Sequence, residues 1–210
     1  IACHIFKNLA KESAKNELIE RDAFFRHWLT KTAFIEVPYY NSALLSSFRK
    51  SLKPHGYQLR VGYTTLGAKK TAVAIIQNEH GFVIGSSRQS NFTKSVEKAS
   101  SEAVFNLMGF PRENLVIDWD KPSLRNHRNY WLNKALPSWF FSKQEKGKRF
   151  EKIEKPTIKT YKLRSPPFPV YLATSSDLYD LWAGEPPQKI KDDIRKKYGV
   201  VANSDPHPFP

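Results

Sequence analysis

Hydrophobic positions along this chain change period several times, and each change predicts an element. Over residues 1–36, Ile5, Leu9, Leu18, Ile19, Phe24, Phe25, Trp28 and Leu29 recur between charged positions, with no strong breaker before Pro38. That stripe predicts helix, and its aromatic face needs a partner surface, expected within its own domain. NSALLSSFRKSL (41–52) predicts a second helix, capped by Asn41 or Ser42, with Leu44, Leu45, Phe48 and Leu52 facing inward. After KPHG the period falls to two. Tyr57, Leu59, Val61 and Tyr63 alternate with Gln58, Arg60 and Gly62, the pattern of a half-buried strand. TAVAIIQ (71–77) is β-branched and apolar, a central strand; NEHG is a hairpin turn and GFVIGSS (81–87) a third strand. From Phe92 the period is helical again. Val96, Ala99, Ala103 and Leu107 share one face, and the helix is expected to stop near Gly109, before Pro111. Small residues at the centre of that face predict close approach to a sheet.

The order α-β-β-β-α over 41–110 predicts an α+β fold: a three-stranded antiparallel sheet with two helices on one face. A helical extension (1–40) precedes it and a Pro-rich extension (111–210) follows. Twelve of the 14 prolines lie in that last segment, so long regular elements are not expected there. Short helices are expected at 123–136 and 187–199. Between them, residues 143–164 carry nine basic and three acidic residues, a net of +6. This stretch reads as an extended phosphate-contacting arm using Lys146, Lys148 and Arg149, or as a solvated linker. There is no internal repeat.

Charge sharpens the partner question. The 34 Lys and Arg against 20 acids give a formal net charge of +14, which favours a polyanionic partner. Basic and aromatic residues interleave at Arg125, His127, Arg128, Tyr130 and Trp131, where arginines can grip phosphate and rings can stack on bases. The same Tyr130 and Trp131 can instead cover the core. No run approaches the ~20 apolar residues of a membrane-spanning helix. The single cysteine, Cys3, allows no internal disulfide and suggests a reducing compartment or an organelle interior. The numbering opens on Ile1, as a removed targeting peptide would leave it.

The sequence offers little that looks catalytic. Asp118 and Asp120 flank Trp119 and can hold a divalent cation for a nuclease, but a solvated turn before Pro122 is the simpler reading. The six histidines have no ligand spacing with cysteine, and no phosphate-binding glycine loop or nucleophile elbow occurs. The expectation is therefore no catalytic residue, no metal and no cofactor.

TKSVEKASSEAVFNL, closing an α-β-β-β-α unit, resembles the last helix of the double-stranded RNA-binding domain. That resemblance implies RNA contacts from Ser46, Arg49 and Lys50 on the first helix and Lys69 and Lys70 in the first strand connection. It also implies contacts from Arg88, Lys94 and Lys98 around the last helix. TTLGAKK lacks the family's Gly-Pro-x-His loop, and Thr93 and Glu97 stand at two of its three basic positions. A divergent domain between basic extensions resembles mitochondrial ribosomal proteins. This implies a structural constituent of the mitochondrial ribosome, in the matrix, with the large subunit slightly favoured. Its partners would be rRNA and other ribosomal proteins, with no membrane and no small-molecule substrate. The alternative it leaves is a free dsRNA-binding regulator or RNA-processing cofactor.

Overall fold

A computed structural model describes residues 2–4, 6–38, 40, 42–66, 69–108, 127, 130–143, 156–163, 169–179 and 181–208. Its first long element is helix α1 (Lys7–Thr30), which ends where Lys31 turns left-handed (φ 52°) and donates its N–H to Trp28. Helix α2 (Ala43–Leu52) begins as expected, with Ser42 Oγ accepting from the Leu45 N–H. Strands β3 (Gln58–Leu66), β4 (Lys69–Gln77) and β5 (Phe82–Ser87) form consecutive antiparallel pairs, and α3 (Phe92–Met108) follows.

The sheet is larger than the expected three strands. Strand β2 (Phe34–Glu36), which the apolar stripe had assigned to helix, pairs antiparallel with β3 and parallel with β6 (Phe141–Ser142). The order is β5-β4-β3-β2-β6, so the sheet is mixed and five-stranded. The C-terminal region is also more regular than its prolines suggested. Strands β1 (Ala2–Cys3), β8 (Val170–Thr174) and β7 (Lys159–Leu163) build a second, antiparallel sheet in the order β1-β8-β7. Helix α4 (Gln188–Tyr198) closes on Gly199, at φ 67°.

Alternation in the main strands sends side chains into two cores. Leu59, Val61, Ala72, Ala74, Ile76 and Val83 meet α2 and α3. The opposite face carries Val73, Ile75, Phe82 and Ile84 against the aromatic stripe of α1 and against Phe140, Trp182 and Ile194. The expected two helices on one face are present, but the other face is covered too. The small-residue face of α3 lies directly on β5. A Cβ placed on Gly85 would sit 2.2 Å from the Ala99 carbonyl oxygen and 2.5 Å from the Ala103 nitrogen.

Charged residues inside α1 bind the C-terminal part of the chain. Asp22 and Arg26 form a buried ion pair (2.7 Å), Asp22 accepts the Tyr179 N–H (2.9 Å), and Arg26 also donates to the Tyr198 hydroxyl. Trp28 and Trp131 donate their indole N–H groups to the carbonyls of Asp205 and Pro206. Among the described residues no helix is long and apolar enough to cross a membrane.

Candidate functional site

Strand β5 lies at the edge of the main sheet, and an open edge carries backbone groups that need partners. Side chains from two helices supply them. From α3, Asn106 donates to the Ile84 carbonyl (2.8 Å), and Glu102 Oε2 accepts the Ser86 N–H (3.2 Å). From α1, on the other side of the sheet, Glu20 Oε2 accepts the Arg88 N–H (3.0 Å) and Oε1 accepts the Ser86 hydroxyl (2.5 Å). Two carboxylates thus converge on Ser86 from opposite faces.

Their electrostatics are unusual for edge caps. Glu20 is buried, and desolvation raises its pKa from 4.5 to about 7 despite the Ser86 hydrogen bond; the nearby Glu102 charge pushes the same way. Burial also raises the pKa of Glu102, with Glu17 adding to the rise and Lys98 and Arg21 opposing it. Glu17 and Arg21 are themselves paired at 2.6 Å. Below them Arg88 is buried, donating from Nη1 to the Lys69 carbonyl (2.9 Å) and to Thr71 Oγ1 (3.4 Å). Its Nε has no hydrogen-bond partner among the described residues. The β5 edge thus carries two carboxyls with Lys98 and Arg21 near Glu102, and one of them, Glu20, is held near neutral pH.

No cluster of three or more His, Cys, Asp or Glu among the described residues is arranged to hold a metal by itself. Glu102, whose Oε1 makes no hydrogen bond among the described residues, is the one carboxylate here with an open oxygen for a divalent ion that takes its remaining ligands from water and from an anionic group. Magnesium is commonly held that way, through one or two carboxylates plus phosphate oxygens.

The residues singled out from the sequence are scattered. Ser46 and Lys50 are exposed on α2, and Arg49 donates to the Tyr40 carbonyl (2.9 Å). Lys69 and Lys70 open β4, where Lys70 lies 4.3 Å over the Tyr63 ring. Lys94 and Lys98 are exposed on α3. Arg88, expected to face phosphate, is turned inward with its guanidinium tied to β4. Of the interleaved cluster, Trp131 is buried in the core, and His127 is buried with Nδ1 at the His207 carbonyl. Arg125, Arg128, Lys146, Lys148, Arg149, Asp118 and Asp120 lie outside the described residues. Glu17, Glu20, Arg21 and Glu102 were not singled out. Their signal is weak: Glu20, Arg21, Asp22 and Arg26 alternate with apolar positions between Leu18 and Leu29, a pattern that ordinarily marks the solvent face of a helix.

No family model matches the chain, and no curated protein matches it. Among solved structures, a heterocyclase in complex with substrate and cofactor superposes on 99% of this chain with a TM-score of 0.67 at 17% identity. The match takes in 32% of that protein, so the chain spans about a third of its length. The heterocyclase TruD overlaps 51% of this chain and 16% of its own at a TM-score of 0.46 and 17% identity, too loose a superposition to carry weight.

The likeness over 99% of the chain corrects several expectations. The α-β-β-β-α unit is not a free-standing double-stranded RNA-binding domain but the middle of a five-stranded sheet covered on both faces. The fold is that of a stretch of a heterocyclase, so neither a mitochondrial ribosomal constituent binding rRNA and ribosomal proteins nor a free dsRNA regulator is supported. The expectation of a non-catalytic protein without a small-molecule substrate gains no support either, since the protein that shares this fold is a heterocyclase holding substrate and cofactor.

Proposed function

We propose that this chain is part of a heterocyclase-like enzyme, and that the β5 edge is where an anionic cofactor and its divalent cation bind. The observation that carries the reading is Glu20, a buried carboxyl held near pH 7 beside the partly buried Glu102. A carboxylate so poorly compensated costs stability when ionised, and perturbed groups of this kind concentrate at functional sites. A bound cation would supply the missing compensation. Glu102 Oε1 has no hydrogen bond among the described residues and would reach the cation first, with Glu20 behind it. Lys98 and Arg21 would meet the cofactor's negative charge. Such a cofactor would supply the driving force for a ring closure that removes water, and Lys98 and Arg21 would bind and orient it. The fold likeness supports the enzyme class.

Ring closure by a Cys, Ser or Thr side chain onto a peptide carbonyl removes one water, which mass spectrometry reads directly. The full protein, given magnesium, ATP and peptides bearing those residues, is expected to yield the dehydrated peptide. Glu102→Gln should lower the rate at least ~100-fold, the order of loss that misplacing a bound reactant by about 1 Å causes. Unchanged peptide mass with the wild-type protein, or an undiminished rate in Glu102→Gln, would overturn the proposal.

A further inference from the structure

Two buried histidines, His127 and His207, clasp the chain between the second sheet and α4. Their rings stand edge to face with centroids 4.5 Å apart, and both are fully buried. His127 bridges two segments. Its Nε2 accepts the Gly184 N–H (2.5 Å), and its Nδ1–H donates to the His207 carbonyl (3.0 Å). A backbone N–H can only donate and a carbonyl can only accept, so these partners fix the tautomer and require a neutral ring. His207 completes the clasp by donating from Nε2 to the Trp182 carbonyl (2.7 Å). Trp182 in turn packs on Phe25 of α1, with 4.5 Å between ring centroids. The tail carrying His207 is tied to the same helix, because Asn203 donates its N–H to the Leu29 carbonyl (2.8 Å) and Trp28 donates to the Asp205 carbonyl (3.1 Å).

A proton on His127 Nε2 would point straight at the Gly184 N–H, donor against donor. We infer that His127 is the trigger of an acid-sensitive latch: its protonation expels the Gly184 amide, opens the Trp182–Gly184 segment and loosens its packing on α1. Burial lowers the His127 pKa below the usual 6.5, against the opposing pull of the His207 carbonyl. The latch is therefore complete above pH 6.5 and is lost as the pH falls through the lowered value. Among the described residues, the other ionisable groups of the surrounding segments are His207 and Asp205 in the tail, Glu185 beyond Gly184, and Asp22 and Arg26 beside Phe25. Asp205 and Glu185 are exposed, Glu185 pairs with Lys191 (2.9 Å), and Asp22 pairs with Arg26, so those charges face solvent or a partner of their own. Two further buried groups respond to acid elsewhere. Glu20 takes up its proton with a gain in stability, and His27, lowered to about 4 and bonded to Thr32 and Thr64, is read in β3. The inference is independent of the cofactor reading.

NMR of the full protein between pH 7.5 and 5 reads both halves of the latch: the titration of the His127 ring, and hydrogen exchange at the Gly184 amide corrected for the intrinsic effect of pH. The ring is expected to protonate within this range. Over that step Gly184 should lose at least about tenfold more protection than Ile75 in β4, the order expected for breaking one buried hydrogen bond. His127→Gln keeps an acceptor for the Gly184 N–H and does not titrate, so its Gly184 protection should stay level over the same range. A ring that remains neutral down to pH 5 overturns the inference, as does a Gly184 amide that stays protected once the ring is charged. So does an equal loss at Gly184 and Ile75, which would mean global unfolding, and so does a loss in His127→Gln that matches the wild type.

Discussion

Burial holds the Glu20 carboxyl near pH 7, and this makes stability itself a readout of the site. Between pH 4.5 and 7 the folded protein keeps a proton on Glu20 that the unfolded chain has released. Stability therefore falls as pH rises through that window. The full difference is worth about 3 kcal/mol. Glu20→Gln removes the titration while keeping the shape, because the Ser86 hydroxyl can turn to accept from the new amide. Denaturant melts should find the variant close to wild type at pH 5 and more stable by up to about 3 kcal/mol at pH 8.5. Destabilisation at both pH values would show a purely structural carboxylate. This residue was hard to see in the sequence because a charge between apolar neighbours on a helix ordinarily marks the solvent face. Burial of Glu20 depends on Ser86 and Arg88, more than 60 residues away.

Elements with a clear period were legible; those without one were not. Helix α2, strands β3 to β5 and helix α3 fall where alternation and helical spacing place them, because each is long enough to repeat its pattern. The three residues of β2 and two of β6 are too few to show any period, and their parallel pairing joins segments about a hundred positions apart. The small-residue face of α3 predicts a sheet contact, which is present, but it does not identify the family. Ala99 and Ala103 record only that a backbone is close, and any sheet strand with a glycine in the right place satisfies them. That contact gives a sharp prediction. Gly85→Ala drives a Cβ to within 2.2 Å of the Ala99 carbonyl, and neither backbone can yield cheaply. The expected cost is about 3 kcal/mol or more, read as a lowered denaturation midpoint. It should come with displacement of Glu102 and Asn106 from the β5 edge, seen as amide shifts at Ser86.

Over the whole molecule, α1 lies between the two sheets and binds the C-terminal segment through buried polar groups. Glu20 caps the main sheet, and two residues later Asp22 pairs with Arg26, which reaches Tyr198 in α4. Breaking a buried ion pair on one side costs about 3–5 kcal/mol, since the remaining charge stays buried. In Asp22→Asn, hydrogen exchange across Gln188–Tyr198 should accelerate more than across β4, because the lesion frees Arg26 and its Tyr198 contact first. Uniform acceleration would mean that α4 is not held through α1. None of this long-range architecture was readable from composition. The prolines of the second half predict irregular backbone, whereas β7 and β8 fit between them; α4 alone stands where a short helix at 187–199 is expected. The net charge of +14 points to anions without distinguishing a nucleic acid from a cofactor or an acidic peptide.

Whether the β5 edge binds a cation and an anionic cofactor is decided by a carbon-13 NMR titration of the Glu20 carboxyl, with and without magnesium and ATP. A midpoint near pH 7 is expected in the free protein, shifted below pH 5 when both are present. A midpoint near pH 7 that neither addition moves would contradict it, leaving Glu20 and Glu102 as caps on the edge of a sheet.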